Sequence, residues 1–113
     1  MTPIRLYVLQ RASAVVMIPL LLAHLALIFY AAHDGLTAGE ILSRTQGSVF
    51  WALFYGTFVI AAAVHAAIGL RSVSADWLTR NPRTLDLVLY GTFMVLLLLG
   101  LRAVWAVVFP GSA

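Results

Sequence analysis

Three long apolar stretches, separated by short polar segments, dominate the chain. They cover about residues 12–32, 49–70 and 85–109, and each has the roughly 20 apolar residues that a helix needs to cross the hydrocarbon core of a bilayer. The first stretch is too long for the apolar core of a cleaved signal peptide, and it contains His24. We therefore predict an all-α integral membrane protein with three transmembrane helices, forming a single domain over residues 1–113.

The composition excludes most soluble classes of protein. Hydrophobic residues make up 63% of the 113 residues and charged residues 10%, against about 45–50% and about 25% in soluble domains. So few charges cannot cover the large surface of a small soluble domain, so we exclude a soluble enzyme and a disordered tail. The absence of cysteine excludes disulfides, iron–sulfur ligands and thiolate-bound zinc. The basic residues are seven scattered arginines, which do not form a patch for nucleic acid.

The distribution of arginines predicts the orientation in the membrane. Basic residues concentrate before the first stretch and after the second, at Arg5, Arg11, Arg71, Arg80 and Arg83. The connection between the first two stretches carries one arginine and two acidic residues. Because cytoplasmic segments carry the excess of positive charge, the N-terminus and the second connection are expected in the cytoplasm. Segment 33–47 and the C-terminus are then expected on the outer side.

Local signals mark the ends of the stretches. Asp34-Gly35 is expected to form a turn that closes the first span, and Asn81-Pro82 should interrupt the chain before the third. Thr37 with Glu40 matches a capping box and predicts a short surface helix in the first connection.

Two histidines lie inside apolar stretches, His24 in the first and His65 in the second. An ionisable residue inside a span is costly, and it marks a functional site by default. A neutral imidazole can ligate haem iron through one nitrogen while the other bonds a carbonyl or water. The alternative is a histidine that forms a hydrogen bond across a helix interface. We find no Ser–His–Asp arrangement, phosphate loop or carboxylate pair, so we assign no catalytic residue and expect chemistry only from a cofactor or a partner subunit.

The depths of the two histidines predict two separate sites. His65 lies roughly 9 Å along a helix from Arg71, and His24 lies roughly 20 Å from Arg11. Since both arginines are expected near the cytoplasmic surface, the histidines should differ in depth by roughly 10 Å. That separation is unsuited to ligating the two faces of one haem. If both bind iron, each needs a second histidine from another subunit, and the two haems are stacked across the membrane.

Two neighbours of His65 support a haem site. Gly69 follows at helical i+4 spacing and lets a flat macrocycle or a neighbouring helix approach closely. Arg71, at the membrane surface, either pairs with a haem propionate or serves as an ordinary positive-inside anchor.

Two motifs carry a family resemblance. The segment 65–71, His-Ala-Ala-Ile-Gly-Leu-Arg, with Asp76 after it, resembles the H-x-x-x-G-x-R-x-x-x-x-D stretch of the cytochrome b anchor subunit of succinate dehydrogenase (respiratory complex II). The segment 10–14, Gln-Arg-Ala-Ser-Ala, resembles the H-R-x-S/T-G stretch of that family, with Gln10 in place of the histidine and Ala14 in place of the glycine. The three-span topology agrees, so the resemblance covers most of the chain.

The resemblance implies a role in the membrane. Members of the family anchor a flavoprotein subunit and an iron–sulfur subunit to the cytoplasmic face of a bacterial membrane, bind haem b, and help to form the site that reduces quinone. By this resemblance, the chain is a non-catalytic subunit of a succinate:quinone oxidoreductase in the bacterial inner membrane. His65 corresponds to the haem ligand of the family, and Arg11 and Ser13 correspond to residues near the quinone pocket.

His24 suggests one branch of this family. Members that bind two haems carry one histidine on the first span and another on the second, about forty residues apart, as His24 and His65 are. The resemblance then implies an outer haem b at His24 and an inner haem b at His65, each shared with a second small membrane-anchor subunit in a helix bundle. Two other interpretations are a haem-free structural anchor of a fumarate reductase and an unrelated small membrane protein.

Overall fold

The structure, a computed structural model, describes residues 2–35 and 37–110 and contains four helices. They are α1 (Pro3–Asp34), α2 (Ala38–Thr45), α3 (Val49–Trp77) and α4 (Pro82–Val108). Helices α1, α3 and α4 are long and apolar enough to cross a membrane, with mean hydropathy of 2.4, 1.9 and 2.1 over 18 residues. The all-α prediction with three spans is therefore confirmed. The C-terminal end, which we expect on the outer side, lies at 111–113, outside the described residues.

Two of the long helices extend beyond the apolar stretches. Helix α1 begins at Pro3, where Thr2 Oγ1 accepts a hydrogen bond from the Arg5 amide at 3.3 Å and proline occupies the first turn. Such a cap starts a helix in polar sequence, well before residue 12. Helix α3 continues to Trp77, past residue 70. Hydropathy thus located the membrane-spanning parts, and the capping residues set the helix ends.

The predicted breaks and the short helix are confirmed. Helix α1 ends at Asp34 and is followed by Gly35, whose φ of 144° is a backbone conformation that glycine adopts readily. Thr37 Oγ1 accepts a hydrogen bond from the Glu40 amide at 3.2 Å and donates to Glu40 Oε1 at 2.7 Å, and this cap begins α2. Asn81 caps α4 by accepting from the Arg83 amide at 3.0 Å.

Helix α3 is the central helix of the bundle because it packs against both α1 and α4. In the most apolar window of α3, 22% of the residues are buried, compared with 6% in α1 and in α4. Small residues on α3 are buried at these contacts: Ala61, Ala63 and Ala67. Small side chains let membrane helices approach closely. Most large apolar side chains of α1 and α4 remain exposed, as expected of surfaces that lipid or another subunit covers.

Helices α3 and α4 are in close contact at Gly100. A Cβ atom added at this position would overlap the side chain of Val59 on α3. Gly91, on the same helix, has open space at the corresponding point. Glycine at position 100 is thus required by helix packing.

The first connection is bonded to the end of α4. Thr45 Oγ1 donates a hydrogen bond to the Val107 carbonyl at 2.8 Å, and the Gly47 amide donates to the Val108 carbonyl at 2.7 Å. Both Thr45 and Val108 are buried there. These bonds hold α2 across one end of the bundle, where it helps to enclose the space around His24.

Candidate functional site

His65 of α3 faces Ser13 of α1. The Nδ1 atom of His65 lies 3.3 Å from Ser13 Oγ, and the Ser13 hydroxyl also bonds the Gln10 carbonyl at 3.0 Å. Ser13 is buried, whereas His65 is half-buried. The Nε2 atom of His65 has no hydrogen-bond partner among residues 2–35 and 37–110. The structure therefore fixes one nitrogen of this imidazole and leaves the other available.

Gly69 faces the neighbouring helix. A Cβ atom at Gly69 would lie 3.6 Å from Nε2 of Gln10, which is ordinary van der Waals contact. The nearest neighbour of Gly69 on another helix is therefore the Gln10 side chain of α1, at a distance that an alanine Cβ would also tolerate.

A cavity of about 450 Å³ lies next to Gly69. We call it the Arg71 cavity, and its lining residues are Pro3, Leu6, Tyr7, Gln10, Ile68, Arg71 and Ser72. Within the described part of the chain, the buried Nε of Arg71 and the buried Oε1 of Gln10 have no hydrogen-bond partner. A buried polar group without a partner costs about 1–3 kcal/mol. The cavity therefore contains one donor and one acceptor that a ligand or water would satisfy.

Arg11 and Ser13 lie on different sides of α1. Positions two residues apart are roughly 200° apart around an α-helix. Arg11 is exposed, with its guanidinium carbon 5.3 Å from the ring centre of Tyr7, whereas Ser13 is buried against His65. Neither Arg11 nor Ser13 lines the Arg71 cavity, but each contacts a residue that does: Arg11 contacts Tyr7, and Ser13 bonds Gln10.

His24 packs among aromatic side chains of α3. Its ring makes edge-to-face contacts with Phe58, at a centroid distance of 5.4 Å, and with Tyr55, at 6.2 Å. Its buried Nδ1 has no hydrogen-bond partner within the described residues. The aromatic-rich segment 50–58 was a signal in the sequence for this packing, but our sequence analysis did not connect Tyr55 or Phe58 with His24.

A cavity of about 310 Å³ adjoins His24. We call it the His24 cavity, and side chains from all four helices line it: His24, Ile41, Thr45, Tyr55, Phe58, Val59, Gly100, Ala103, Val104 and Val107. The lining is mainly apolar, and the ionisable groups among these residues are the His24 imidazole and the Tyr55 phenol. Its shape depends on the close contact at Gly100 and on the bonded position of α2.

Arg44 is a second functional candidate near His24 that sequence analysis did not single out. A smaller cavity of about 210 Å³ is lined by His24, Tyr55 and Arg44, among others. The Arg44 guanidinium pairs with Asp34 at 2.7 Å and donates to the Gly35 carbonyl at 3.0 Å. The charge of Arg44 is therefore neutralised in this structure, unlike that of Arg71, for which no ion pair occurs among the described residues.

The two imidazoles lie at different levels of the bundle. Ser13 is level with His65, and Phe58 is level with His24, since each pair is in contact between α1 and α3. At 1.5 Å per residue, these contacts separate the imidazoles by roughly 10–16 Å along the helices. No three His, Cys, Asp or Glu side chains converge into a metal-binding group in residues 2–35 and 37–110. Neither imidazole therefore belongs to such a group in the described residues.

Comparisons with curated proteins and with solved structures gave no match. The family model described as succinate dehydrogenase/fumarate reductase transmembrane subunit matches residues 2–101. The match includes the two span histidines, His24 and His65, and the motif arginines Arg11 and Arg71. It covers all three spans except the end of α4. The chain is thus a multi-pass membrane subunit that belongs to the succinate dehydrogenase/fumarate reductase transmembrane-subunit family, whose members form complexes with other subunits.

Proposed function

We propose that the chain is a haem b-binding membrane anchor of a succinate dehydrogenase, in which it carries electrons from the iron–sulfur subunit to quinone. The main support is His65, an imidazole within a span with Nδ1 held by Ser13 and Nε2 without a partner in the described residues. These features fit a residue that would ligate haem iron. The haem iron, when bound, supplies one-electron transfer. His65 donates one imidazole, and a second small membrane-anchor subunit donates the other.

His24 is proposed as the ligand of a second haem b. Its support is a buried Nδ1 that has no hydrogen-bond partner in the described residues and lies beside a mainly apolar cavity. The separation of the two imidazoles favours two haems over one haem bound by both. His24 then requires its own partner histidine from the second anchor subunit. The exposed apolar faces of α1 and α4 offer the surfaces on which that subunit and membrane lipid would pack.

Arg71 is proposed to hold a propionate of the haem at His65. Its guanidinium has no ion pair in the described part of the chain, and its buried Nε lacks a hydrogen-bond partner. A carboxylate would satisfy both the charge and the unpaired donor. Gly69, between His65 and Arg71 on α3, keeps this side of the helix free of bulk, and only the Gln10 side chain approaches it in the described structure.

Arg11 is proposed to bind quinone. The exposed guanidinium lies over Tyr7 beside the Arg71 cavity, near the expected cytoplasmic surface where the iron–sulfur and flavoprotein subunits would bind. A hydrogen bond from Arg11 to a quinone carbonyl would stabilise negative charge on that oxygen as the quinone is reduced. This arrangement fits an anchor in the bacterial inner membrane with a cytoplasmic N-terminus.

A pyridine haemochrome assay on the purified complex, with haem b counted against flavin, tests the proposed function. Two haems per flavin would support both His24 and His65 as ligands. One haem would support His65 alone and leave His24 as a packing residue against Tyr55 and Phe58. A complex without haem would contradict the proposal and favour the haem-free structural anchor of a fumarate reductase.

The Arg11→Gln variant is expected to reduce quinone more slowly, by roughly tenfold or more, because a charged donor to the quinone oxygen is lost. Haem content should not change, since Arg11 does not contact His65. Steady-state quinone reduction with succinate measures the effect. Arg5→Gln is the matched control because it removes the same charge from the same end of α1. Quinone reduction at the Arg5→Gln rate or faster would remove Arg11 from the site.

A further inference from the structure

We infer that Ser13 is a positioning residue that fixes the tautomer of His65. This inference rests on the proposed function of His65 as a haem ligand, and it gives Ser13 a role other than contact with quinone. The two residues are distant in the sequence, but α1 and α3 bring Ser13 Oγ to 3.3 Å from His65 Nδ1.

The assignment follows from which atoms carry hydrogen. The Gln10 carbonyl can only accept a hydrogen bond, so at 3.0 Å it takes the single hydrogen of the Ser13 hydroxyl. The Ser13 oxygen can then only accept from His65. For both bonds to form, the proton of the neutral imidazole must be on Nδ1. Nε2 is left with a lone pair, which is the form that ligates iron.

The hydroxyl also affects the strength of the ligand. An imidazole whose N–H donates to an acceptor is held in one orientation and becomes more basic at its other nitrogen. Ser13 is buried, with 7% of its surface exposed, so water does not readily replace it in this bond. No such partner exists for the buried Nδ1 of His24 within the described residues. The structure thus gives Nδ1 of His65 a hydrogen-bond partner and gives Nδ1 of His24 none among the described residues.

The same hydrogen-bond count argues against Ser13 as a quinone contact. A quinone carbonyl accepts hydrogen bonds, and the one hydrogen of the Ser13 hydroxyl is already bonded to the Gln10 carbonyl. The side chain also lies on the opposite side of α1 from Arg11.

The test compares Ser13→Ala with the unaltered protein, both as the assembled complex. We expect haem retention to fall roughly 10–100-fold, the usual effect of removing such a supporting residue. We also expect the midpoint potential of the haem at His65 to rise, because a less basic imidazole stabilises ferric iron less. Ser13→Thr keeps the hydroxyl and should restore both properties. Ser43→Ala is the matched control, since the Ser43 hydroxyl makes the same kind of bond to a helix carbonyl, that of Glu40 at 2.7 Å, without an imidazole.

Three results would overturn the inference, and they are distinguishable. A Ser13→Ala complex with unchanged haem retention and unchanged potential would overturn it and leave the proposed function intact. An unaltered complex without any haem would overturn the proposed function and this inference together. If Ser13→Ala does not assemble, Ser13→Thr and Ser13→Val provide the comparison, because these side chains have the same shape and differ in the hydroxyl. Equal potentials in that pair would also overturn the inference.

Discussion

Replacing His65 with alanine is expected to remove one haem b per flavin from the purified complex. The residue that bonds His65 in the described part of the chain, Ser13, offers only a weakly coordinating hydroxyl and would not replace the proposed imidazole ligand. His65→Gln should have the same effect, because glutamine retains a polar side chain of similar length without an imidazole nitrogen. The haem-to-flavin ratio and the absorbance of the reduced haem measure the loss.

His33→Ala is the control for this experiment. His33 lies exposed at the end of α1, and its Nδ1 bonds the carbonyl of Phe29 in the same helix at 3.0 Å. Its removal changes the histidine count without changing the contacts of either span histidine. The haem-to-flavin ratio should therefore stay at that of the unaltered complex. An unchanged ratio in both His65→Ala and His65→Gln would show that the proposed ligand is wrong.

Gly100→Ala is expected to destabilise the subunit through overpacking. The added Cβ would overlap the Val59 side chain, and core overpacking costs about 1–3 kcal/mol. Because Gly100 and Val59 also line the His24 cavity, displacement of α4 should disturb whatever occupies that cavity. The midpoint of thermal unfolding of the purified complex measures the stability. Gly91→Ala is the control on the same helix, where open space accommodates the methyl group and alanine favours the helix.

A double-mutant cycle identifies the contact responsible. Val59→Ala removes the two γ carbons nearest the added Cβ, so it should rescue much of the loss in a Gly100→Ala background. If the effects of the two substitutions simply add, the overlap at this position is not the cause. A Gly100→Ala complex as stable as Gly91→Ala would likewise contradict the packing argument.

Local sequence signals predicted the breaks in the fold. Thr37 and Glu40 are three residues apart, so the capping box of α2 can be recognised without any knowledge of tertiary structure. Asn81-Pro82 is similarly local. The extent of α1 was missed because hydropathy measures compatibility with lipid, whereas Thr2 and Pro3 start the helix in a polar segment.

The contacts of the site depend on the register between helices, and a single sequence does not specify this register. Each histidine could be placed on its span, and their different levels followed from helical rise alone. The meeting of Ser13 with His65, and of Gly100 with Val59, requires the relative rotation of two helices and could not be predicted. The motif resemblance identified Ser13 as important but suggested a different partner for it.

The bonds between the first connection and α4 make local opening cooperative. The last carbonyls of a helix have no partner within that helix, and here Thr45 and Gly47 donate to those of Val107 and Val108. If the final turn of α4 frays while α2 stays docked, these two carbonyls therefore lose their hydrogen-bond partners. The two segments should exchange their amide hydrogens as one unit. Because Thr45 and Val107 also line the His24 cavity, such an opening would widen the cavity at that end.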